Sequence, residues 1–184
     1  MMHTVPGGPT RWLLIPALLV AVLGSAVAVW SEAPAPAWHV YFSPNHGATT
    51  AVVEVLESAR TTVRVQAYSF TSAPIARALA AAHGRGVDVQ VILDRKETGS
   101  KYSSADFLAH AGIATLIDGV HAIAHNKVMI IDSQTVITGS FNFTTAAERQ
   151  NAENLLVVRD HALAVRYAEN WRAHAEHSTP YVGR

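Results

Sequence analysis

A short stretch near the middle of the chain carries residue types that can transfer a phosphoryl group. His125 and Lys127 lie two positions apart, Asp132 follows after four residues, and the run Gly139-Ser140-Phe141-Asn142 follows after six more. Residues 123–131 are rich in apolar and β-branched side chains and predict a strand. Because side chains alternate between the two faces of a strand, we expect His125 and Lys127 to point the same way.

The segment after this strand supplies neutral hydrogen-bond donors. Residues 135–138 predict a returning strand, and Thr145 with Glu148 predicts a capping box that opens a helix. Ser140 and Asn142 then lie in a strand-to-helix loop, where hydroxyl, amide and backbone N–H groups can converge on an anion. A histidine nucleophile, a lysine countercharge and neutral donors are the groups that phosphoryl transfer requires.

Composition limits the class of protein. The chain has 184 residues, a formal net charge of zero and no cysteine. This length suits one domain with a sizeable core, and the lack of cysteine excludes disulfides and thiolate zinc sites. A neutral chain is not typical of a dedicated high-affinity nucleic-acid binder, but an enzyme needs only transient contact with phosphates.

The ten histidines raise the question of a metal centre. His121 and His125 have the i, i+4 spacing of a helical ligand pair, but no neighbouring cluster of carboxylates completes a site. We therefore expect no metal and no cofactor in the reaction.

Residues 1–37 have the layout of a signal peptide. Arg11 is the sole early charge, residues 12–30 are an uncharged apolar run, and small-x-small cleavage motifs occur at 26–28 and 35–37. The favoured interpretation is export to the periplasm or beyond. The alternative is an uncleaved membrane anchor at 12–30, because nineteen apolar residues are just long enough to span a bilayer.

Residues 38–184 predict a single catalytic domain of alternating strands and helices, which indicates an α/β sandwich. The hairpin that contains Lys127 favours a mixed sheet over a purely parallel one. Strands are predicted at 40–42, 63–68, 87–93, 113–117 and 154–158, and helices at 48–60, 74–83, 104–111 and 162–175. A polar loop is predicted at 94–103.

The spaced histidine, lysine and aspartate followed by Gly139-Ser140-Phe141-Asn142 resemble the signature of the phospholipase D superfamily. The flanking runs 41–44, 66–72 and 85–89 look like its small bacterial endonuclease branch. The resemblance spans residues 38–177. It implies a mixed sheet with helices on both faces, and a nonspecific nuclease that is exported and carries one signature per chain.

The resemblance also implies a reaction through phosphohistidine. Hydrolysis through a covalent intermediate needs one group that attacks phosphorus and another that protonates the leaving oxygen. Because the chain holds one candidate, His125, we expect a homodimer in which two signatures meet at the two-fold axis. Lys127, Ser140 and Asn142 would bind the phosphate oxygens.

Two carboxylates, Glu153 and Asp132, each have two interpretations. Residue pattern alone makes Glu153 a solvent-exposed glutamate, whereas the resemblance implies that it orients His125. Asp132 belongs to the signature and is a candidate catalytic residue, but its strand parity differs from that of His125. We therefore favour a structural role for Asp132 in the hairpin turn.

Three further features stay open. Tyr68 ends a predicted strand and suits either the cleft or the core, and Trp171 is interpreted as a core residue. Arg95, Lys96 and Lys101 are interpreted as a solvated loop, with a basic rim as the alternative.

The same four phosphate-handling groups suit any phosphodiester. The leading hypothesis is a metal-independent phosphodiesterase that acts on DNA or RNA. The second is a phospholipid hydrolase of the phospholipase D type, with cardiolipin or phosphatidylcholine as substrate and a membrane as partner. The third is a non-catalytic nucleic-acid-binding protein with the same fold.

Overall fold

The structure is a computed structural model that describes residues 1, 3 and 37–184. Apart from residues 1, 3 and 37, the predicted signal peptide or anchor lies outside the described residues. Residues 37–184 belong to one compact unit. Within the described part of the chain, no helix is both long enough and apolar enough to cross a bilayer.

The described residues form one eight-stranded sheet with five α-helices. The strands are β1 Trp38–Phe42, β2 Thr62–Ala67, β3 Asp88–Asp94, β4 Ala114–Asp118, β5 Lys127–Ile131, β6 Thr135–Gly139, β7 Asn154–Arg159 and β8 Thr179–Tyr181. The helices are α1 Ala48–Ser58, α2 Ala73–Gly84, α3 Ala105–His110, α4 Thr145–Arg149 and α5 His161–His177, and a 3-10 helix spans Arg95–Thr98.

The sheet is mixed, as predicted. Its strand order is β1-β7-β6-β5-β2-β3-β4-β8. β2, β3 and β4 run parallel, because α2 and α3 provide the crossovers that parallel neighbours require. The other neighbouring pairs are antiparallel, including the β5–β6 hairpin. The two strands of the signature hairpin therefore lie near the middle of the sheet.

Helices cover both faces of the sheet, which confirms the predicted fold class. On one face, helices α1, α2 and α3 contribute Leu56, Leu79 and Leu108 to the larger core. On the other face, α5 packs Ala164 and Trp171 against a smaller core. Trp171 is 4% exposed and its Nε1 donates to the Val65 carbonyl at 2.8 Å. It is a core residue, as predicted.

The predicted strand at 123–131 begins four residues later than expected, at Lys127. Pairing with β2 starts at Ala67 opposite Lys127, and the preceding backbone leaves the sheet. The Asp94 carboxylate accepts the Ala124 N–H at 2.7 Å and holds that backbone in a loop. His125 therefore lies in a loop before β5, and the expectation of a shared strand face with Lys127 is wrong.

The helix start near residue 145 also differs from the expected capping box. Thr144, rather than Thr145, is the N-cap of α4, and its hydroxyl accepts the Ala147 N–H at 3.1 Å. The Glu148 carboxylate instead accepts the N–H of Thr49 at 2.7 Å, in the first turn of α1. Glu148 thus links α4 to α1. Because the two residues are far apart in the sequence, the local sequence pattern cannot predict this contact.

Asp132 lies in the tight turn between β5 and β6. Because Ile131 pairs with Thr135, the loop consists of Asp132, Ser133 and Gln134, and φ is positive at its first two residues, 52° at Asp132 and 54° at Ser133. The Asp132 carboxylate accepts the backbone N–H groups of Arg60, Thr61 and Thr62 at 2.8–2.9 Å. It ties the hairpin to the start of β2, which is a structural role.

Asp132 should therefore matter for stability. Burial raises its pKa, but the hydrogen bonds from Thr62, Thr61 and Arg60 outweigh that effect and hold the pKa below its usual value. Its contribution to folding is then present above about pH 3.9 and is lost as the pH falls through the lower folded-state pKa. Asp132→Ala should lower the free energy of unfolding by about 2–3 kcal/mol at pH 7.

Urea denaturation at pH 7 and pH 3 measures this effect. The difference in the free energy of unfolding between wild type and Asp132→Ala should be smaller at pH 3 than at pH 7. Glu57→Ala, at an exposed position of α1, should have the wild-type free energy of unfolding at both pH values. A difference in the free energy of unfolding that stays constant or increases at pH 3 would contradict the proposed role of the carboxylate.

Candidate active site

A pocket of about 510 Å³ opens at one end of the central strands, where β5 begins and β6 ends. Its lining brings together most of the residues that the sequence singled out. They are His125, Lys127, Gly139, Ser140, Asn142 and Glu153. Asp132 is not among them and lies at the other end of β5.

His125 is held at the pocket by the loop before β5. The Tyr68 N–H donates to the carbonyl of Asn126 at 2.9 Å, which fixes the loop just before the strand. The Tyr68 ring packs against the imidazole, with the two ring centroids 4.4 Å apart and the planes at 60°. The imidazole is therefore oriented by an aromatic contact on one side and is exposed on the other.

Lys127 is the first residue of β5 and is only 6% exposed. Its Nζ donates to the His125 carbonyl at 2.7 Å and lies 5.1 Å from the centroid of the Tyr68 ring. Burial lowers the pKa of Lys127, the charge of Glu153 raises it, and the charge of Lys96 lowers it again. The ammonium is thus partly desolvated beside the pocket, where its attraction for an anion is strengthened.

The loop after β6 requires a glycine and two buried aromatic residues. Gly139 has φ 145°, and a Cβ at this position would collide with the Asn154 carbonyl oxygen. That carbonyl accepts the N–H groups of both Ser140 and Phe141 at 3.1 Å. Phe141 and Phe143 are 1% and 0% exposed and anchor the loop in the core.

Asn142 lies between these two anchors and lines the pocket. Its Oδ1 is buried without a hydrogen-bond partner among the described residues. A buried polar atom without a partner costs about 1–3 kcal/mol, so such groups are concentrated at functional sites. Oδ1 can only accept a hydrogen bond, so the group of this amide that would bind a phosphate oxygen is the Nδ2 donor.

Glu153 does not contact His125 as expected. Its carboxylate accepts the Ser140 hydroxyl at 2.6 Å and the Asn151 amide at 3.0 Å. Among the described residues, no hydrogen bond joins it to the imidazole. Within this chain Glu153 binds Ser140 and raises the pKa of Lys127, and its role in orienting His125 stays a prediction.

The same hydrogen bonds constrain Ser140. Its hydroxyl donates to Glu153 and accepts the N–H of Asn154 at 3.1 Å. The hydroxyl proton is therefore committed to the carboxylate, and Ser140 must change its hydrogen-bond partner before it can donate to a phosphate oxygen.

Tyr68 and Lys96 belong to the surroundings of the pocket, which the sequence left open. The Lys96 Nζ lies 3.0 Å from the centroid of the Tyr68 ring, on which His125 also packs. Arg95 instead donates to the Ala122 carbonyl at 3.2 Å. Lys96 and His125 thus share contacts with the Tyr68 ring, which the spacing of polar residues in the loop could not reveal.

Comparisons with known proteins show the family to which the chain belongs. A family model described as "Cardiolipin synthase, PLD-like domain" matches residues 52–174. A protein named phospholipase D from Rickettsia bellii (strain RML369-C) is 45% identical over 130 residues, which are 71% of this chain and 65% of that protein. The chain therefore spans about 65% of the length of the curated relative it matches.

Two solved structures share the fold. Nuc from Salmonella typhimurium, described as a phospholipase D family member, superposes with a TM-score of 0.76 at 38% identity, over 80% of this chain and 99% of that one. NucT from Helicobacter pylori superposes with a TM-score of 0.73 at 25% identity, over 78% of this chain and 98% of that one.

The mixed sheet with helices on both faces is an α/β domain of the PLD-like class. The chain belongs to the phospholipase D superfamily, which confirms the resemblance seen in its sequence.

Burial and the charge of Glu153 have opposite effects on the pKa of Lys127, which gives a testable result. Glu153→Gln keeps the shape of the side chain but removes its charge, so the pKa of Lys127 should fall below its wild-type value. The protonated ammonium would then be lost at a lower pH. NMR titration of the Lys127 side chain measures this shift directly. Glu169→Gln, at an exposed position of α5, should leave the titration unchanged. A Lys127 pKa that stays constant or rises in Glu153→Gln would show that the carboxylate does not stabilise the ammonium.

Proposed function

We propose that the protein is a metal-independent phosphodiesterase that hydrolyses nucleic acids through a phosphohistidine intermediate. The observation that carries the proposal is the convergence of His125, Lys127, Ser140 and Asn142 on one open pocket. An exposed imidazole beside a buried ammonium is the arrangement that nucleophilic attack on a phosphodiester requires. Lys127 and the pocket donors would stabilise the charge that develops on the non-bridging oxygens.

The reaction proceeds in two displacements. A ring nitrogen of one His125 attacks phosphorus and forms a P–N bond, while the P–O bond to the leaving group breaks. The leaving oxygen takes its proton from a second imidazole acting as general acid. That imidazole then takes a proton from water, the oxygen of which attacks phosphorus and breaks the P–N bond. Both histidines return to their starting states, and no metal ion takes part in either step.

The second imidazole would come from a second copy of the chain. An isologous two-fold interface places a residue beside its own copy, so two His125 side chains can share one phosphate. The surroundings of the pocket suit such an interface. Phe42 at the end of β1 is 58% exposed, and Ile123, two residues before His125, is 56% exposed. Burial of these side chains against a second copy would favour the dimer.

In this dimer we assign a positioning role to the Glu153 carboxylate. In one chain it holds the Ser140 hydroxyl, and it faces the same pocket as His125. The resemblance to the superfamily implies an orienting role, and reorganisation of Ser140 on substrate binding would release one carboxylate oxygen for an imidazole. Glu153 is therefore retained in the proposal as a positioning residue, and Asp132 is not.

Nucleic acid is the proposed substrate because the motifs flanking the signature resemble the small endonuclease branch. The net charge of zero fits an enzyme that contacts phosphates transiently and has little base selectivity. We place the enzyme outside the cytoplasm, because residues 1–37 have the pattern of a signal peptide. An uncleaved segment at 12–30 would instead hold it at a membrane.

A phospholipid substrate is the second candidate. It is favoured by the name phospholipase D of the relative from Rickettsia bellii and by two exposed apolar residues near the site. Val120 and Ile123 are 67% and 56% exposed in the loop that leads to His125. Such residues can enter the surface of a bilayer, but they can equally be covered by a second copy of the chain.

Plasmid nicking in EDTA tests the proposed activity. The wild-type protein should nick supercoiled DNA, and His125→Ala should lower the rate by at least about 10³-fold, because the nucleophile and the general acid are lost together. His110→Ala removes an exposed histidine on α3 and should retain the wild-type rate. The folded state of each variant is checked by circular dichroism.

Vesicles of phosphatidylcholine with cardiolipin provide the competing substrate in the same experiment. Release of phosphatidic acid without nicking would replace the nuclease proposal with the phospholipid one. Nicking that persists in His125→Ala would contradict the proposed mechanism for either substrate.

A further inference from the structure

Three histidines surround one buried carboxylate, and this cluster lies outside the pocket of the proposed reaction. Asp118 is the last residue of β4, and its side chain is fully buried. His121 follows it after two residues, and His174 and His177 lie in the last turn of α5. None of these four residues lines the pocket of the proposed reaction.

The ring nitrogens converge on a single oxygen. Nδ1 of His121 lies 2.9 Å from Asp118 Oδ2, Nδ1 of His174 lies 3.0 Å from it, and Nε2 of His177 lies 3.4 Å from it. The three imidazole centroids are 4.9–5.3 Å apart. Each residue offers one ligand atom, and the four atoms lie within 4.8 Å of one another.

These spacings suit a tetrahedral transition-metal ion. With metal–ligand bonds of about 2.0–2.1 Å, the ligand atoms of a tetrahedron lie about 3.3 Å apart. The three nitrogen–oxygen distances bracket that value, and the nitrogen–nitrogen distances lie within 4.8 Å, so an ion would draw the imidazoles together. Imidazole nitrogens favour zinc and its neighbours among the transition metals, whereas magnesium and calcium prefer sets of oxygen ligands.

The rest of the Asp118 carboxylate is already used to fix the site. Its other oxygen, Oδ1, accepts the N–H of Val120 at 3.1 Å. Such hydrogen bonds to a ligating carboxylate hold it in one orientation, as is usual around protein metal sites. The cluster therefore has both a set of ligands and a supporting contact from the backbone.

We infer that Asp118, His121, His174 and His177 form a structural zinc site. Four protein ligands fill the tetrahedron and leave no position for a substrate, which distinguishes a structural zinc from a catalytic one. The ion would join three parts of the fold: the end of β4, the loop that carries His125, and the last turn of α5. It would thereby restrict the loop four residues before the proposed nucleophile without entering the reaction.

A cluster of hydrogen bonds without a metal is the competing explanation. Histidines in the last turn of a helix are favoured by the helix dipole, and each can donate one N–H to a carboxylate. That arrangement gives no affinity for zinc beyond the weak binding of surface histidines. The two explanations therefore differ in stoichiometry, affinity and coordination geometry.

Zinc binding to the purified protein after treatment with EDTA and dialysis distinguishes them. We expect one Zn²⁺ per chain by calorimetry, with magnesium showing no binding. Zinc at 100 times its dissociation constant should raise the melting temperature by about 5–10 °C. Co²⁺ in the same site should show the intense visible absorption of a tetrahedral complex.

Two variants complete the test. His174→Ala/His177→Ala removes half of the ligands and should abolish the stoichiometric binding, the rise in melting temperature and the cobalt absorption. His46→Ala/His110→Ala removes two exposed histidines outside the cluster and should keep all three. The zinc-induced change is measured within each variant, so a lower stability of the metal-free variant does not affect the comparison.

Equal zinc binding by the wild type and by His174→Ala/His177→Ala would overturn the inference, as would a wild-type protein without one stoichiometric site. Its failure is separate from that of the proposed function. At temperatures well below melting, removal of zinc by EDTA should leave the phosphodiesterase chemistry in place and lower only the melting temperature.

Discussion

The buried ammonium of Lys127 is the constraint on which the proposed site depends. Removing a lysine charge from water costs several kcal/mol unless other groups compensate for the lost hydration. Here the compensation comes from the His125 carbonyl, which accepts from Nζ, from the nearby ring of Tyr68, and from the charge of Glu153. The first two of these groups also belong to or contact the proposed nucleophile, so two of the contacts that keep the lysine charged also order the reacting histidine.

The loop between β4 and β5 links this site to the rest of the fold. It leaves the sheet at Asp118, carries His121 and His125, and re-enters the sheet at Lys127. Asp94, the last residue of β3, accepts the Ala124 N–H and so fixes the middle of this loop. Asp94 is itself only 3% exposed. A nucleophile on such a loop can be exposed to substrate and still be held in position, because several fixed groups restrain the backbone around it.

Much of the fold follows from the sequence because its signals are local. In β2, Val63 and Val65 alternate with the polar Arg64 and Gln66, and β3 carries the apolar run 91–93; both patterns are typical of strands. The short turn at Asp132 predicted the hairpin and hence the mixed sheet. The short edge strand β8 was missed, since its three residues form a strand only through pairing with β4. The late start of β5 was also missed, because it depends on a side chain thirty residues away.

The members of the candidate site could be predicted, but several of their contacts could not. His125, Lys127, Ser140, Asn142 and Glu153 are identified by spacing and resemblance, and the structure brings them to one pocket. The partner of Glu153 is set by the path of the chain between β6 and β7, on which the sequence pattern carries no information.

The four-residue histidine cluster was missed for a similar reason. His174 and His177 are spaced i, i+3 on one helix face, which is a visible signal, but Asp118 is 56 residues away from the first of them. The sequence around His121 has no cluster of carboxylates, but one buried carboxylate is enough when α5 returns to the end of β4.

The most direct test of the central claim is the activity of a heterodimer with only one His125. Wild-type and His125→Ala chains with different affinity tags can be co-expressed, and two successive affinity steps isolate the mixed dimer. If two histidines share one phosphate, the mixed dimer should show almost no steady-state hydrolysis, since it lacks either the nucleophile or the general acid. A mixed dimer with about half of the wild-type rate would show that each chain acts alone, and would contradict the account of a shared site.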